Sequence, residues 1–322
     1  MSFQSYPLQF TPIFKDRIWG GTKLKTELNK EIPNDMTGES WEISAVEDNV
    51  SFVSNGFYKG KSLSEIIQQF PNEILGIAIY GKFGTAFPLL FKYLDAKQDL
   101  SIQVHPNDEM AKKYHNSFGK TEMWYVVQAD EKARIIVGFK KQSSKNEFLK
   151  NIEYKTVLDV LDSKIAKNGD VFFLETGTVH AIGAGLVIAE IQQTSDVTYR
   201  IYDFDRKDSN GNYRELHNEL AQNAINYKKF EAQIDYKKIP NQSNLTVNCQ
   251  YFTTNYLPLD GKIIVKEKTN HFTVYMCVEG NFEIMLNNKI YAYQKGDTIL
   301  IPAKINTFEM SGKATLLEIF IL

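Results

Sequence analysis

Gly169-Asp170-Val171-Phe172-Phe173-Leu174 is the stretch of this sequence that decides the fold, and it is followed by Gly177 and His180. A Gly-Asp turn leads into a short apolar run, and a second turn at Gly177 leads into the next segment. Turn residues on both sides of a short run of β-branched and aromatic residues are typical of antiparallel β-hairpins. The stretch therefore predicts two short strands, with a histidine at the start of the second.

The C-terminal part of the chain repeats this pattern. Gly296-Asp297-Thr298-Ile299-Leu300-Ile301 has the same order of turn and apolar residues, and Thr307 stands where the first copy has His180. A Gly-Asp turn before an apolar strand is also common in unrelated hairpins. Agreement position by position over residues 169–180 favours an internal repeat in which only the first copy carries the histidine.

Short β-rich segments recur through most of the chain and predict a mainly β protein, built as a sandwich or closed barrel. The clearest predicted strands cover residues 87–94, 100–105, 123–128, 134–139, 170–175 and 187–192. Helical spacing of apolar residues is rarer and predicts helices at residues 62–70, 146–161 and 216–225. The polar, Lys-rich stretch 227–248 separates the two halves, and we place the predicted domains at residues 1–230 and 231–322.

The amino-acid composition of the chain excludes several classes of function. The chain has 322 residues, 43% of them apolar, and its 37 basic and 39 acidic residues leave a net charge of −2. This balance provides no basic surface for nucleic acid or an anionic membrane. The N-terminal residues resemble no signal peptide, and no apolar run is long enough to span a bilayer. Two cysteines without a CxxC pair exclude a thiolate zinc site. We expect a soluble cytoplasmic protein.

Four polar side chains on separate β segments form a candidate metal site. Side chains alternate across a strand, so Gln103 and His105 share one face, with Ile102 and Val104 on the other. The same alternation places Lys120, Glu122 and Trp124 on one face, and His180 follows the turn at Gly177. Nitrogen and oxygen ligands of this kind suit zinc or another borderline divalent ion; the candidate ligands are Gln103, His105, Glu122 and His180.

Each of these residues also has a simpler interpretation. A single buried histidine is commonly a hydrogen-bonded core residue, and Glu122 could pair with Lys120. The metal hypothesis is favoured because three β segments each offer a ligand on a polar face. A solvated role suits His115 and His217, and His271 is a surface or core residue.

Two further cations stand out by their surroundings. Arg200 lies on the polar face of the segment 196–202, opposite Val197, Tyr199 and Ile201, where it could meet an anion or pair with Asp196. Lys92 interrupts an otherwise apolar strand. Because an unpaired buried ammonium group is costly, Lys92 needs an anionic partner from the protein or from a substrate.

These segments resemble the type I phosphomannose isomerases, zinc enzymes of the cupin superfamily, in their short bacterial form. The matching stretches follow the family's order over most of residues 1–230: Arg17-Ile18-Trp19-Gly20-Gly21, Gly38-Glu39-Ser40-Trp41-Glu42, and residues 87–96, 101–106, 119–125, 177–182 and 195–206. The resemblance implies a metal-binding cupin jelly roll with short helical insertions, followed by a second cupin-like β domain without a metal. Glu175, where cupins often have proline, departs from the pattern without touching a proposed ligand.

The resemblance also implies roles for individual residues. Gln103, His105, Glu122 and His180 would hold one zinc ion per chain, Arg200 would be the catalytic arginine, and Lys120 and Asp196 would belong to the active site. Ser101 and Lys92 would bind the substrate, a sugar phosphate. The implied reaction interconverts mannose 6-phosphate and fructose 6-phosphate through an enediol.

The mechanism leaves some roles open. With Glu122 as the only anionic ligand, the zinc site would keep a net positive charge for the developing oxyanion. Arg200, oriented by Asp196, would stabilise that oxyanion or handle its proton. Lys120 is a candidate base if the ion lowers its pKa, whereas a salt bridge to Glu122 or a phosphate contact is an equal alternative. Two other functions remain open, a metal-dependent cupin oxygenase and a non-catalytic sugar-binding cupin; the oligomeric state does not follow from the sequence.

Overall fold

The structure is a computed structural model that describes residues 2–208, 210–266 and 271–322. The helices, in chain order, are α1 (Lys23–Leu28), α2 (Leu63–Gln69), α3 (Pro71–Ile74), α4 (Ile77–Phe83), α5 (Asp108–His115), α6 (Lys145–Glu153), α7 (Val157–Val160) and α8 (Asn218–Ala224). In these ranges, no helix combines the length and apolarity needed to cross a membrane.

Strands make up most of the regular structure, as predicted. In chain order they are β1 (Leu8–Gln9), β2 (Ile13–Gly21), β3 (Thr37–Ile43), β4 (Ala45–Val46), β5 (Asn49–Val50), β6 (Leu89–Ala96), β7 (Ile102–Val104), β8 (Glu122–Ala129), β9 (Arg134–Phe139), β10 (Leu161–Ile165), β11 (Val171–Leu174), β12 (His180–Ile182), β13 (Leu186–Gln193), β14 (Tyr199–Tyr202), β15 (Gln233–Ile234), β16 (Asn244–Asn248), β17 (Thr253–Lys266), β18 (Thr273–Leu286), β19 (Lys289–Gln294), β20 (Thr298–Ile301) and β21 (Thr307–Phe320).

Two antiparallel sheets form the N-terminal sandwich. The seven-stranded sheet has the order β15-β11-β8-β13-β6-β3-β2, and the five-stranded sheet has the order β10-β9-β12-β7-β14. Alternate side chains of both sheets meet in a shared core that includes Trp124, Ile135, Phe172 and Ile188. Because the charged residues Lys92, Glu122, Glu190 and Arg200 stand at inward positions of these same strands, one part of the interior is apolar and the other polar.

The outer face of the five-stranded sheet is covered by helices. Ile102 and Val104 of β7 pack there with residues of α6, α7 and α8, among them Phe148 and Val157. The predicted single helix over residues 146–161 is wrong, because α6 ends at Glu153 and α7 is a separate turn. Lys155 between them has a left-handed φ of 57°, which interrupts a right-handed helix.

A third sheet forms the C-terminal unit and packs on the outer face of the seven-stranded sheet through a common core. Phe272 and Leu317 of the C-terminal unit share that core with Phe91 and Met123. The sheet has the order β1-β20-β18-β21-β17-β16, with β19 paired to β18. Two short strands cross the predicted boundary, since β1 pairs with β20 and β15 pairs with β11. The domain limits at residues 230 and 231 remain a prediction.

The internal repeat predicted from the two Gly-Asp turns is present in the backbone. The amide of Val126 donates to the carbonyl of Asp170 over 2.9 Å, and the amide of Cys277 donates to that of Asp297 over 2.9 Å. Val126 therefore corresponds to Cys277, and Asp170 corresponds to Asp297. Counting residues from these two positions, Thr273 corresponds to Glu122 and Thr307 corresponds to His180. The second unit therefore carries hydroxyl groups where the first carries a carboxylate and an imidazole.

Candidate active site

Three ionisable side chains from different strands meet between the two sheets of the N-terminal sandwich. Glu122 begins β8 of the seven-stranded sheet, whereas His180 begins β12 of the five-stranded sheet and His105 directly follows β7. Their nitrogen and oxygen ligand atoms all lie within 4.8 Å of one another. Nε2 of His180 is 3.4 Å from Oε1 of Glu122, and Nε2 of His105 is 3.5 Å from Oε2. The structure thus brings these three predicted ligands together.

Backbone carbonyls set the proton positions on both histidines. Nδ1 of His105 lies 3.0 Å from the carbonyl oxygen of Val197, and Nδ1 of His180 lies 2.8 Å from that of Thr178. Because a carbonyl oxygen can only accept, each Nδ1 carries the proton and each Nε2 is an unprotonated acceptor. Burial lowers the pKa of His180 to about 4 and that of His105 well below its usual value. Both rings are therefore neutral at pH 7, as metal ligands must be.

Glu122 supplies the negative charge of the cluster. Its side chain is fully buried, and among the described residues the Lys120 ammonium group, 3.1 Å from Oε2, is its one close charged partner apart from the two histidines. Burial raises the pKa of Glu122, because its charged form loses the solvation of water. A buried carboxylate beside two neutral imidazoles is the donor set that a borderline divalent ion accepts. The residues present fit a metal ion.

Gln103 completes the predicted set of four. It is paired in register with His180 across β7 and β12, and its amide Nε2 lies 3.3 Å from Nε2 of His180. The oxygen and nitrogen of a glutamine amide occupy nearly the same space, so a half turn of the amide presents an acceptor instead of a donor. Gln103 is therefore placed to act as a neutral fourth ligand.

Lys120 lies against the same cluster. Its Nζ atom is 3.1 Å from Nε2 of His105 and 3.1 Å from Oε2 of Glu122. The salt bridge to Glu122, one of the alternatives left open by the sequence, is thus present. Burial disfavours the ammonium form, but Glu122 and Glu190 outweigh it and raise the pKa of Lys120. The protein's own charges therefore oppose the lowered pKa that a general base requires.

A cavity of about 510 Å³ lies beside the cluster. Gln103 and Lys120, which contact the histidines, also form part of its wall. The sequence-predicted residues that line it are Lys92, Ser101, Gln103, Lys120, Asp196 and Arg200. The proposed metal ligands and the proposed substrate-binding residues therefore belong to one continuous site.

Lys92 has a protein anion as its partner. Glu190 is directly opposite Lys92 on β13, and its Oε1 atom is 3.0 Å from the Lys92 ammonium group. The indole nitrogen of Trp124 donates to Oε2 of Glu190 over 3.0 Å, and the Lys92 ammonium lies 5.0 Å from the ring centroid of Trp41. The anion that Lys92 requires is thus supplied from within the fold.

Glu190 has a counterpart in the C-terminal unit. Glu318 accepts hydrogen bonds there from Asn255 over 2.7 Å and from Tyr275 over 3.0 Å. In the strand register, Tyr275 corresponds to Trp124 and Glu318 to Glu190. A carboxylate at this position therefore belongs to both copies of the repeat, and the cationic partner Lys92 belongs to the first copy.

Arg200 differs from the other cations of the cavity wall. Arg17 pairs with Glu39 over 2.7 Å, and Arg214 pairs with Asp203 over 2.7 Å. Arg200 has no carboxylate within ion-pair distance among the described residues. Its Nη1 donates to the carbonyl of Glu215, and its Nε is buried without a hydrogen-bond partner in that part of the chain. Arg200 is therefore able to bind an anion in the cavity.

The predicted orienting contact between Asp196 and Arg200 is wrong. Asp196 is exposed at the cavity rim, and no hydrogen bond or ion pair joins these two described side chains. The strand that carries Arg200 is held instead by His217, whose Nδ1 accepts from the Arg200 amide over 3.1 Å. His217 precedes α8 rather than lying within it, so its ring can turn back onto the sheet.

Glu190 is the main site residue that the sequence analysis missed. It interrupts the apolar strand β13, just as Lys92 interrupts β6. The argument that a buried charge needs an opposite partner applies equally to Glu190. The sequence therefore signals that Glu190 needs a cation, and the pairing of β13 with β6 supplies Lys92.

Comparison with known proteins agrees with this geometry. The sequence of residues 8–144 matches the family model of the type I phosphomannose isomerase catalytic domain. Residues 242–321 match the family model of the mannose-6-phosphate isomerase cupin domain. The chain is 38% identical over 313 residues to the mannose-6-phosphate isomerase ManA of Bacillus subtilis, covering 96% of each protein. It is 37% identical over 311 residues to the mannose-6-phosphate isomerase of Streptococcus mutans, covering 95% of each.

A solved structure supports the same assignment over the whole chain. The crystal structure of the Bacillus subtilis mannose 6-phosphate isomerase matches with a TM-score of 0.90 and 37% identity, covering 98% of this chain and 99% of that one. The predicted cupin fold, with a second cupin-like unit at the C-terminus, is confirmed. The chain belongs to the family of type I phosphomannose isomerases.

Proposed function

We propose that this isomerase interconverts mannose 6-phosphate and fructose 6-phosphate at a zinc ion held by Gln103, His105, Glu122 and His180. The observation that carries the proposal is the buried cluster of His105, Glu122 and His180, whose ligand atoms lie within 4.8 Å of one another beside a cavity that Lys92, Lys120 and Arg200 line. The names of the relatives indicate the sugar phosphate, and the nitrogen and oxygen donor set favours zinc.

The reaction moves a proton between C2 and C1 of the sugar, and negative charge develops on the sugar oxygens as it does so. When bound, the divalent ion supplies positive charge next to those oxygens. Glu122 is the only anion among the four ligands, whereas a second carboxylate would offset more of that charge. Because Nδ1 is the protonated nitrogen in both His105 and His180, both Nε2 lone pairs would be available to hold the ion.

Arg200 is the residue that we assign to the developing oxyanion. Because it has no carboxylate partner among the described residues, its charge is available to the substrate. It is also opposite Gln103 in the strand register, which places it next to the ligand set. Fixed hydrogen-bond donors aimed at developing charge typically contribute a large part of the rate enhancement of an enzyme. We keep Asp196 in the active site as a rim residue.

Lys120 acts in this proposal as a cation. Its ammonium group is held charged by Glu122 and Glu190 and contacts the ligand His105. From this position it can donate a hydrogen bond to a sugar oxygen, so we assign the removal of the C2 proton to a different group. The pH dependence of a Lys120 variant separates this role from that of a base.

The phosphate end of the substrate requires cations and hydroxyl donors away from the metal. We propose Lys92 and Ser101, which both line the cavity, for this contact. Lys92 keeps hydrogen-bond capacity beyond its bond to Glu190, because an ammonium group has three donors. The partner is thus a small anionic sugar.

The unpaired thiols Cys249 and Cys277 suit the reducing cytoplasm, which we propose as the compartment.

A direct assay tests the proposal. The purified protein is incubated with mannose 6-phosphate before and after removal of metal with a chelator, and fructose 6-phosphate is measured by a coupled assay. We expect turnover to disappear with the metal and to return on addition of one equivalent of zinc. Elemental analysis of the untreated protein should find about one zinc per chain. An undiminished rate in the fully metal-free protein would reject the proposal, and iron with oxygen consumption would favour the oxygenase alternative.

A further inference from the structure

Asp108 is a hydrogen-bond hub between the C-terminal unit and the loop beside the metal ligands. Its Oδ2 accepts from the hydroxyl of Tyr251 over 2.6 Å. Its Oδ1 accepts from the side chain of Gln193 over 3.0 Å and from the amide of Gly119 over 2.8 Å. Three separate parts of the chain, including the loop between β16 and β17, therefore converge on one carboxylate.

This hub closes the segment that separates two active-site residues. Residues 106–119 run from His105 to Lys120 and include α5, which begins at Asp108. The amide of Lys120 donates to the carbonyl of Pro106 over 3.2 Å, so the two ends of the segment touch. A Cβ atom on Gly119 would stand 2.7 Å from the Asp108 amide nitrogen, closer than a carbon atom can approach. The hydrogen bonds to Asp108 thus hold the two ends of the segment 106–119 so close together that only glycine fits at position 119.

Gln193 extends the hub to the strand that carries Glu122. Its Oε1 accepts from the amide of Thr121 over 2.9 Å, and its Nε2 donates to Asp108. Burial opposes the ionisation of Asp108, but hydrogen bonds from Tyr251, Gly119 and Gln193 lower its pKa. The acceptor is therefore an anion at neutral pH, and charged acceptors make the stronger hydrogen bonds.

The hub lies outside the reaction cavity. Asp108, Gln193 and Tyr251 line a second cavity of about 610 Å³, and none of them is among the lining residues of the 510 Å³ cavity. A change at Tyr251 therefore reaches the reacting groups through the segment 106–119. This separation makes it possible to test positioning without altering a group that contacts the substrate.

We propose that Tyr251 of the C-terminal unit is a positioning residue for the isomerase, acting through Asp108 on the loop ends that carry His105 and Lys120. The inference rests on the roles proposed above for those two residues. It gives the C-terminal unit, which carries Thr273 in place of the carboxylate ligand, a hydrogen-bonded connection through Asp108 to the active site of the first unit. A displacement of about 1 Å can lower the rate of such a site by about 100-fold, because rate depends steeply on the alignment of reacting groups.

The test compares Tyr251→Phe with a matched control, Tyr236→Phe. The hydroxyl of Tyr236 also crosses the predicted domain boundary, donating to the carbonyl of Gly169 over 2.5 Å, but it does not touch the hub. We expect Tyr251→Phe to lower kcat by about tenfold with little change in KM, whereas Tyr236→Phe leaves kcat unchanged. Asp108→Asn should reproduce the effect, and the double variant with Tyr251→Phe should lose little more than Asp108→Asn alone.

A spectroscopic measurement gives a readout that is independent of activity. In cobalt-substituted protein, visible absorption reports ligand geometry, and we expect the spectrum to change in Tyr251→Phe and not in Tyr236→Phe. Identical kcat values and identical spectra for the two variants would overturn the positioning role while leaving the isomerase function intact. A parent protein that does not convert mannose 6-phosphate would overturn both.

Discussion

Gln103 and Arg200 are directly opposite each other on the neighbouring strands β7 and β14, and His180 is opposite Gln103 on the other side, on β12. Two proposed ligands and the proposed oxyanion-binding arginine therefore occupy one cross-strand row of the five-stranded sheet. Because side chains alternate along a strand, a slip of one residue in this register would turn β7 or β14 away from the site. The backbone pairing of the sheet thus sets the distance between the proposed metal ligands and Arg200.

Replacing the carboxylate ligand should remove the metal. We expect Glu122→Gln to lose most of its bound metal and more than about 100-fold in kcat, because the site would lose its only anionic ligand. Metal content by elemental analysis and turnover of mannose 6-phosphate check this. The matched control is Glu39→Gln, the same change on the cavity wall, which should retain the metal. Full metal content in Glu122→Gln would contradict the ligand assignment.

Arg200 should matter for turnover and not for metal binding. Arg200→Lys is expected to lower kcat by about 100-fold, because the fork of guanidinium donors is lost from the oxyanion position. The metal content should stay at the level of the parent protein. Arg214→Lys is the control, since Arg214 lines the same cavity but is already paired with Asp203. Near-normal turnover in Arg200→Lys and Arg200→Ala would exclude the assigned role.

The pH dependence of turnover distinguishes two roles for Lys120. If Lys120 is a cation held charged by Glu122 and Glu190, Lys120→Gln lowers kcat without altering the shape of the pH–rate profile. We expect this result. Disappearance of one limb of the profile in the variant would instead identify Lys120 as the base.

Breaking the buried ion pair should destabilise the fold. Glu190→Gln leaves the buried Lys92 ammonium without its contacting carboxylate, and we expect a loss of about 3–5 kcal/mol in the free energy of unfolding. The double variant Lys92→Met with Glu190→Gln should regain part of this loss. Urea denaturation measures both. The control is Asp205→Asn in the exposed pair with Lys155, where we expect a change below about 1 kcal/mol. Equal effects at the two sites would refute the argument.

Acid stability should depend on Glu39. Burial disfavours its charged form, but Lys92 and Arg17 outweigh this and lower the pKa of Glu39 from 4.5 to about 2. Between these values the unfolded chain binds more protons than the folded one, so this contribution is complete above pH 4.5 and is lost as the pH falls towards 2. At about 1.4 kcal/mol for each pKa unit, the contribution is about 3 kcal/mol.

Comparing the pH dependence of two variants tests this contribution. Glu39→Gln should show a shallower decrease in the free energy of unfolding between pH 4.5 and pH 2 than the parent protein. Glu47→Gln, a change at an exposed carboxylate, should follow the parent curve. If both variants follow the parent curve, Glu39 has no such role.

The sequence by itself determined which residues face the site. Strict alternation in the strands around Gln103 and Glu122 separates their faces from those of Ile102, Val104 and Met123, and the structure keeps this separation. Alternation depends only on local backbone geometry, so it is visible without knowledge of the fold. The repeated Gly-Asp turns are equally local, and they indicated the two related β units.

Only the tertiary structure decided which of these faces meet, and at what register. The Lys92–Glu190 pair joins residues 98 positions apart, and the Tyr251–Asp108 bond joins residues 143 positions apart. The absence of a contact between Asp196 and Arg200, which are close in sequence, was equally invisible in the pattern. Such contacts depend on sheet order and on the packing of the C-terminal unit, which are set by burial over the whole chain rather than by neighbouring residues.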